Sequence, residues 1–128
     1  MQDKYDLYEY AIIRVVPCVG RGEFLNVGVV MFCKKKRWLK MEYHIREELF
    51  KVFCPTLDLE FIKKNLSAFQ QIARGENKDS PIAQMEVDER FRWLAAVRSS
   101  VIQTSPTHIG LSKDLNSTFQ QIIKEQVY

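Results

Sequence analysis

Leu7-Tyr8-Glu9-Tyr10-Ala11-Ile12-Ile13-Arg14-Val15-Val16 is dense in aromatic and β-branched residues, and it stops at Pro17, which cannot continue a central ladder. The run spells a β-strand. A second run of the same kind extends from Phe24 to Cys33. A third, Trp38 to Tyr43, alternates cleanly, with Leu39, Met41 and Tyr43 set against Trp38, Lys40 and Glu42. Turns centred near Gly20 and within Lys35-Lys36 join the three into an antiparallel meander.

Those turn positions also imply a register. They set Arg14 opposite Asn26, Ile12 opposite Gly28, Tyr10 opposite Val30 and Tyr8 opposite Phe32. Across the second hairpin they set Val30 opposite Met41 and Phe32 opposite Leu39. One face then carries Tyr8, Tyr10, Ile12, Val30, Phe32, Leu39, Met41 and Tyr43, with Arg14 and Asn26 at its end. The other face is apolar as well, through Leu7, Ala11, Ile13 and Val15 beside Leu25, Val27, Val29, Met31 and Cys33. A one-sided open sheet would be more polar there, so this face needs a cover, either from the chain's own helices or from a second copy in a homodimer.

The remainder reads as helical. Ile45, Leu49, Phe50 and Phe53 make a short stripe that ends at Cys54-Pro55. Asp58 suits an N-cap for a longer helix in which Leu59, Ile62, Leu66, Phe69 and Ala73 recur at helical spacing. Residues 75–81 form a polar connection. Asp88 starts a helix with Phe91, Leu94 and Ala95 inward, and Ser100 to Thr104 reads as a short fourth strand. Ser105 to Gly110 is turn-rich, and a last helix from about Ser112 carries Leu115, Phe119, Ile122, Ile123 and Val127 on one side. The expectation is one α+β domain over residues 1–128: a two-layer packing of a three-stranded meander, with a short fourth strand, against three to four helices.

Composition agrees with a globular chain. Of 128 residues, 46% are hydrophobic, 12% aromatic and 27% charged, enough apolar material for a core at this length. Nineteen Lys and Arg against 16 Asp and Glu leave a net charge of +3, milder than a dedicated nucleic-acid-binding domain carries. Cys18, Cys33 and Cys54 form no C-x-x-C pair, and with only His44 and His108 they do not supply a closed zinc site. They read as free thiols, and no metal or cofactor is expected. The polar, acidic opening Met1 to Asp6 does not resemble a signal peptide, and no apolar run approaches the ~18 residues of a membrane span. A cytoplasmic location is the expectation.

Chemistry concentrates in two segments. In the first, Gly20 and Gly22 frame Arg21, while Asn26 and Gly28 interrupt an otherwise apolar strand. Both are poor strand formers, so something offsets their cost. As a polar pocket, Arg14 and Arg21 would hold an anion, Asn26 would hydrogen-bond it, and Glu23 would serve as a base or orienting carboxylate. As scaffolding, Gly28 would make room for a neighbour such as Tyr43, Asn26 would tie down backbone, and Arg14 would pair with Glu23. The second segment is Arg98-Ser99-Ser100 with Gln103 and His108. Arginine beside two hydroxyls can grip phosphate, though at a helix C-terminus it also complements the macrodipole. A Ser–His pair with no third member or oxyanion hole is weak support for acyl transfer. Lys34-Lys35-Lys36-Arg37 reads as a solvated hairpin tip rather than a nucleic-acid contact.

Tyr10-Ala11-Ile12-Ile13-Arg14-Val15-Val16-Pro17, followed by Arg21-Gly22-Glu23-Phe24-Leu25-Asn26-Val27-Gly28-Val29-Val30, resembles the N-terminal signature of the bacterial family named domain of unknown function 3037. Trp93-Leu94, the stretch from Arg98 to Pro106, and His108-Ile109-Gly110-Leu111 resemble its C-terminal signature. The resemblance implies no established activity. Members are small stand-alone bacterial proteins, some encoded beside a protein of HipA-like kinase fold, which implies a partner-protein role.

Two functional readings follow. The first is a non-catalytic binding or accessory module in which Arg14, Arg21, Glu23, Asn26, Arg98, Ser99, Ser100 and His108 meet an anionic small ligand or a protein partner's acidic group. The alternative is an enzyme acting on a phosphate-containing substrate, such as a nucleotide or nucleic acid, with Glu23 or His108 as general base.

Overall fold

The computed structural model describes residues 4–18, 20–96 and 101–128. Strand β1 (Asp6–Val15) pairs antiparallel with β2 (Leu25–Cys33), which pairs antiparallel with β3 (Trp38–Tyr43). Helices α1 (Glu47–Phe53), α2 (Leu59–Arg74) and α3 (Val87–Leu94) follow. The chain then returns to the free side of β1 with β4 (Ile102–Thr104) and β5 (His108–Ser112), and it closes with α4 (Leu115–Gln126). No described helix is long and apolar enough to cross a membrane.

The second hairpin has the expected register: Val30 faces Met41 and Phe32 faces Leu39. Arg14 faces Asn26 as well, but Ile13 rather than Ile12 faces Gly28. Val27 is an extra residue between these two pairs, a β-bulge that shifts every later partner by one. The face inferred from sequence is therefore corrected. Ala11, Ile13, Val30, Phe32 and Met41 share one core with α1–α3, whereas Tyr8, Tyr10 and Ile12 lie with Val29, Met31 and Cys33 against α4. The α+β packing of an antiparallel sheet on four helices holds, with its main layer of helices on the first face. The chain's own α4 supplies the cover that the second apolar face required.

On the first face, α2 follows its sequence signals closely. The Asp58 carboxylate accepts from the Phe61 amide at the N-terminus, and Gly75 ends the helix with φ 69°. Arg90 of α3 then donates to the carbonyls of Ile72 (3.0 Å) and Ala73 (2.9 Å). A cation at the last turn suits the helix dipole and locks α3 to α2. On the second face, Asp114 accepts from the Ser117 amide to start α4, and Phe119 is fully buried, edge-on to Trp38.

Strands β4 and β5 act as one edge strand with an interruption, where the sequence suggested turns. At the break the Ser105 hydroxyl accepts from the Ile12 amide (2.9 Å), while the Ser105 amide donates to the Ile12 carbonyl (2.8 Å). A side chain thus replaces one rung of the ladder. Beyond the break, the Tyr8 ring lies across Gly110, where a Cβ would collide with it. That packing reads Gly110 as a strand glycine beneath an aromatic ring.

Candidate functional site

The β1–β2 connection leaves the sheet at Pro17 and turns tightly, with the Arg21 amide donating to the Cys18 carbonyl and Gly22 at φ 74°. Within it Arg21 and Glu23 pair with each other at 2.5 Å, both well exposed. Hydrogen bonding to Glu23 raises the Arg21 guanidinium's pKa, and the same bond holds the Glu23 carboxyl below its usual range. A cavity of about 310 Å³ beside them is lined by Pro17, Cys18, Arg21, Glu23, Phe53 and Cys54.

Arg14 does not pair with Glu23. Its guanidinium carbon lies over the Phe24 ring, 4.1 Å from the ring centre, as a cation–π contact. The buried Nε has no hydrogen-bond acceptor among the described residues, and none of their carboxylates forms an ion pair with the group. Its cross-strand neighbour Asn26 donates through Nδ2 to the Gln126 carbonyl at the end of α4 (3.1 Å), which leaves the buried Asn26 Oδ1 unpartnered. Two neighbouring residues at the end of the sheet thus each carry a buried polar atom, one a donor and one an acceptor, without a partner among the described residues. Gly28 has the structural role suggested for it: a Cβ there would come within 2.8 Å of the Glu42 carbonyl and 3.1 Å of Tyr43 Cβ.

His108 is elsewhere. It faces Tyr10 across β5 and β1 and stacks on that ring at 5.1 Å. Tyr10 and Arg14 are four residues apart on one strand, roughly 13 Å at the usual rise of a β-strand. Burial pushes the Tyr8 phenol above its ordinary pKa, and Tyr10 adds to the shift. Arg98, Ser99 and Ser100 lie outside the described residues. The flanks of their segment are placed: the Val101 carbonyl accepts from the Val16 amide, and Thr104 Oγ1 donates to the Ala95 carbonyl. Among the described residues no cluster of three or more His, Cys, Asp or Glu could hold a metal ion.

Of the residues singled out from sequence, then, Arg14 and Asn26 adjoin, Arg21 and Glu23 pair in the loop beyond them, and His108 stands apart. The basic run is a hairpin tip as expected, with Arg37 at φ 50° and ion-paired to Glu86 at 2.5 Å.

A family model described as Protein of unknown function (DUF3037) matches residues 10–127. The chain belongs to this family. The match starts within β1 and ends just past α4, so the DUF3037 unit takes in β1 from Tyr10 onward, the rest of the meander, all four helices and the Arg14–Asn26 pair. No curated protein and no solved structure matches the chain. What this DUF3037 protein does must therefore be argued from its own side chains.

One feature was missed from sequence. Leu7 and Leu111 pair across β1 and β5, with Ile109 two positions along, and all three are largely exposed. The alternation of Ile109 and Leu111 around Gly110 was the available signal, but it was masked by the turn-forming residues that precede it.

Proposed function

We propose that the protein is a non-catalytic binding or accessory module that recognises an anionic group at the Arg14 end of its sheet. The group belongs either to a small ligand or to the acidic side chain of a protein partner; a HipA-like kinase-fold protein is the partner that the family resemblance suggests. The single observation that carries this reading is the state of Arg14. A half-buried guanidinium with no counter-charge among the described residues is costly in a fold whose other arginines are mostly paired: Arg21 with Glu23, Arg37 with Glu86, Arg92 with Asp88. An external anion would offset that cost, and the adjacent Asn26 Oδ1 would take a proton-bearing atom of the same group. Arg21 would lie at the rim of this site, and Arg98, Ser99 and Ser100 are included on sequence grounds alone.

The enzymatic alternative has less support. A general base must reach the atoms held by the arginines, yet Glu23 is occupied by Arg21 and His108 lies roughly 13 Å from Arg14.

The test is thermal unfolding in increasing sodium phosphate at constant ionic strength, on wild type and Arg14→Gln. Ligand that binds only the folded state raises the melting temperature. A rise in wild type that is absent in Arg14→Gln supports the site, and parallel curves remove it. An affinity pull-down with wild type beside the Arg14→Ala, Arg98→Ala double variant, its fold confirmed, tests the protein-borne form of the same anion.

A further inference from the structure

The sheet has two edges, and they are treated differently. Strand β3 carries Lys40 and Glu42 as an ion pair, Gln70 of α2 donates to the Met41 carbonyl (3.2 Å), and Arg37 is fastened to Glu86. Charges and a covering helix are how proteins keep an edge from pairing. Strand β5 has none of these. It pairs with β1 on one side and with no other described strand on its outer side, and its sequence His108-Ile109-Gly110-Leu111-Ser112 contains neither lysine nor proline.

The face beside this edge is apolar and uncovered. Tyr5, Leu7, Ile109 and Leu111 are 48%, 59%, 69% and 64% exposed. Tyr5, Leu7 and Leu111 line a concavity of about 800 Å³ whose remaining lining is Lys4, Lys34 and Lys35. The Lys113 ammonium adds a further cation, 5.2 Å above the Tyr5 ring. Among the described residues no carboxylate lines the concavity. Glu9, opposite Ile109, marks the other end of the patch.

From these features we infer that the outer edge of β5 is a docking edge for an extended, acidic segment of a partner protein. The segment adds to the sheet as a strand, lays apolar side chains on Leu7, Ile109 and Leu111, and sets carboxylates against Lys4, Lys34 and Lys113. Main-chain pairing supplies the general affinity of such an addition, and alternate side chains supply selectivity. A second copy of this chain fits less well. It brings a net charge of +3 to a lysine-lined surface, and pairing two five-residue strands buries less than the ~1,200 Å² of a stable interface. This site is at the opposite end of β1 from Arg14 and does not depend on the anion reading above.

The experiment is selection of random nonapeptides, displayed on phage, against the full chain, followed by anisotropy titration of the enriched peptides in labelled form. Enriched sequences should alternate apolar residues with Asp or Glu. Affinity should fall at least tenfold for the Ile109→Lys, Leu111→Lys variant, and amide exchange of residues 108–112 should slow in the complex. Lys34→Glu, remote from the ladder, should weaken binding and reduce its salt dependence while the melting temperature stays at the wild-type value. Peptides without acidic excess, equal binding by the double variant, or no enrichment over a blank surface would each overturn the inference. So would concentration-dependent dimerisation abolished by the double variant, because the edge would then belong to a second copy.

Discussion

One face of the sheet is covered three times over, by α1, α2 and α3 packing on Ala11, Ile13, Val30 and Phe32; among the described residues the other is covered by α4 alone, on Ile12, Val29, Met31 and Cys33. Strand β1 contributes alternate residues to both. The first core is cross-braced, with Phe91 stacked on Phe32 and Arg90 joining α3 to the end of α2. The second depends on the row Leu115, Phe119, Ile123 and Val127. Equal burial therefore does not mean equal redundancy: losing one anchor on the α4 side loosens the only helix that covers that side among the described residues.

Paired truncations put this to the test. Phe119→Ala should cost about 3–5 kcal/mol and Leu66→Ala about 2–5 kcal/mol by urea unfolding, the range for large buried side chains. The distinguishing result is in amide exchange. Phe119→Ala should release the amides of α4 while those of α2 stay protected, whereas Leu66→Ala should lower protection throughout. If Phe119→Ala lowers α2 and α4 alike, the two faces form one cooperative unit and the contrast fails.

A smaller effect is expected at the seam between β4 and β5. Ser105→Ala removes the acceptor for the buried Ile12 amide, and an orphaned donor costs about 1–3 kcal/mol. Ser105→Thr, which keeps the hydroxyl, should recover most of that stability. Equal losses for Ala and Thr would show that the hydroxyl bond is not what joins the edge strand to β1.

The smallest effect is expected outside both cores. Glu23 has its pKa depressed by Arg21, so any stability it lends is present above the ordinary carboxylate range and is lost as pH falls through the lowered value. Both side chains are exposed and water screens the pair. Glu23→Gln should therefore leave the acid-unfolding midpoint unchanged. A displaced midpoint would mean that the Arg21–Glu23 pair contributes to stability in spite of its exposure.

Much of the fold was legible because local signals agreed with one another. The three-stranded meander, the Asp58 cap, the stripe of α2 and the apolar face of α4 each follow from periodicity plus an end signal. The register of the first hairpin was not, because a bulge leaves no periodic trace. Val27 and Gly28 are both small apolar residues, and either assignment keeps the strand hydrophobic. Strand β5 was hidden by Pro106 and Gly110, which read as turn residues until Tyr8 is seen lying over Gly110. Of the candidate site, the adjacency of Arg14 and Asn26 could be read from turn geometry. Glu23's choice of Arg21 over Arg14 could not, since it depends on which way a loop folds.

The Ser105–Ile12 rung joins residues 93 positions apart, and this has a consequence for how the protein is made. Of this domain's described strands, the first to leave the ribosome is one that lies inside the finished sheet. Its partner on one side follows at once, but its partner on the other comes only after three helices have been made. For most of the domain's synthesis β1 therefore waits with an open edge and many of its apolar side chains uncovered, the condition in which nascent chains associate wrongly. Closing so long a loop also slows folding relative to proteins built from near neighbours. The last quarter of the chain completes the domain as a single late event, laying down the edge strand and α4 together.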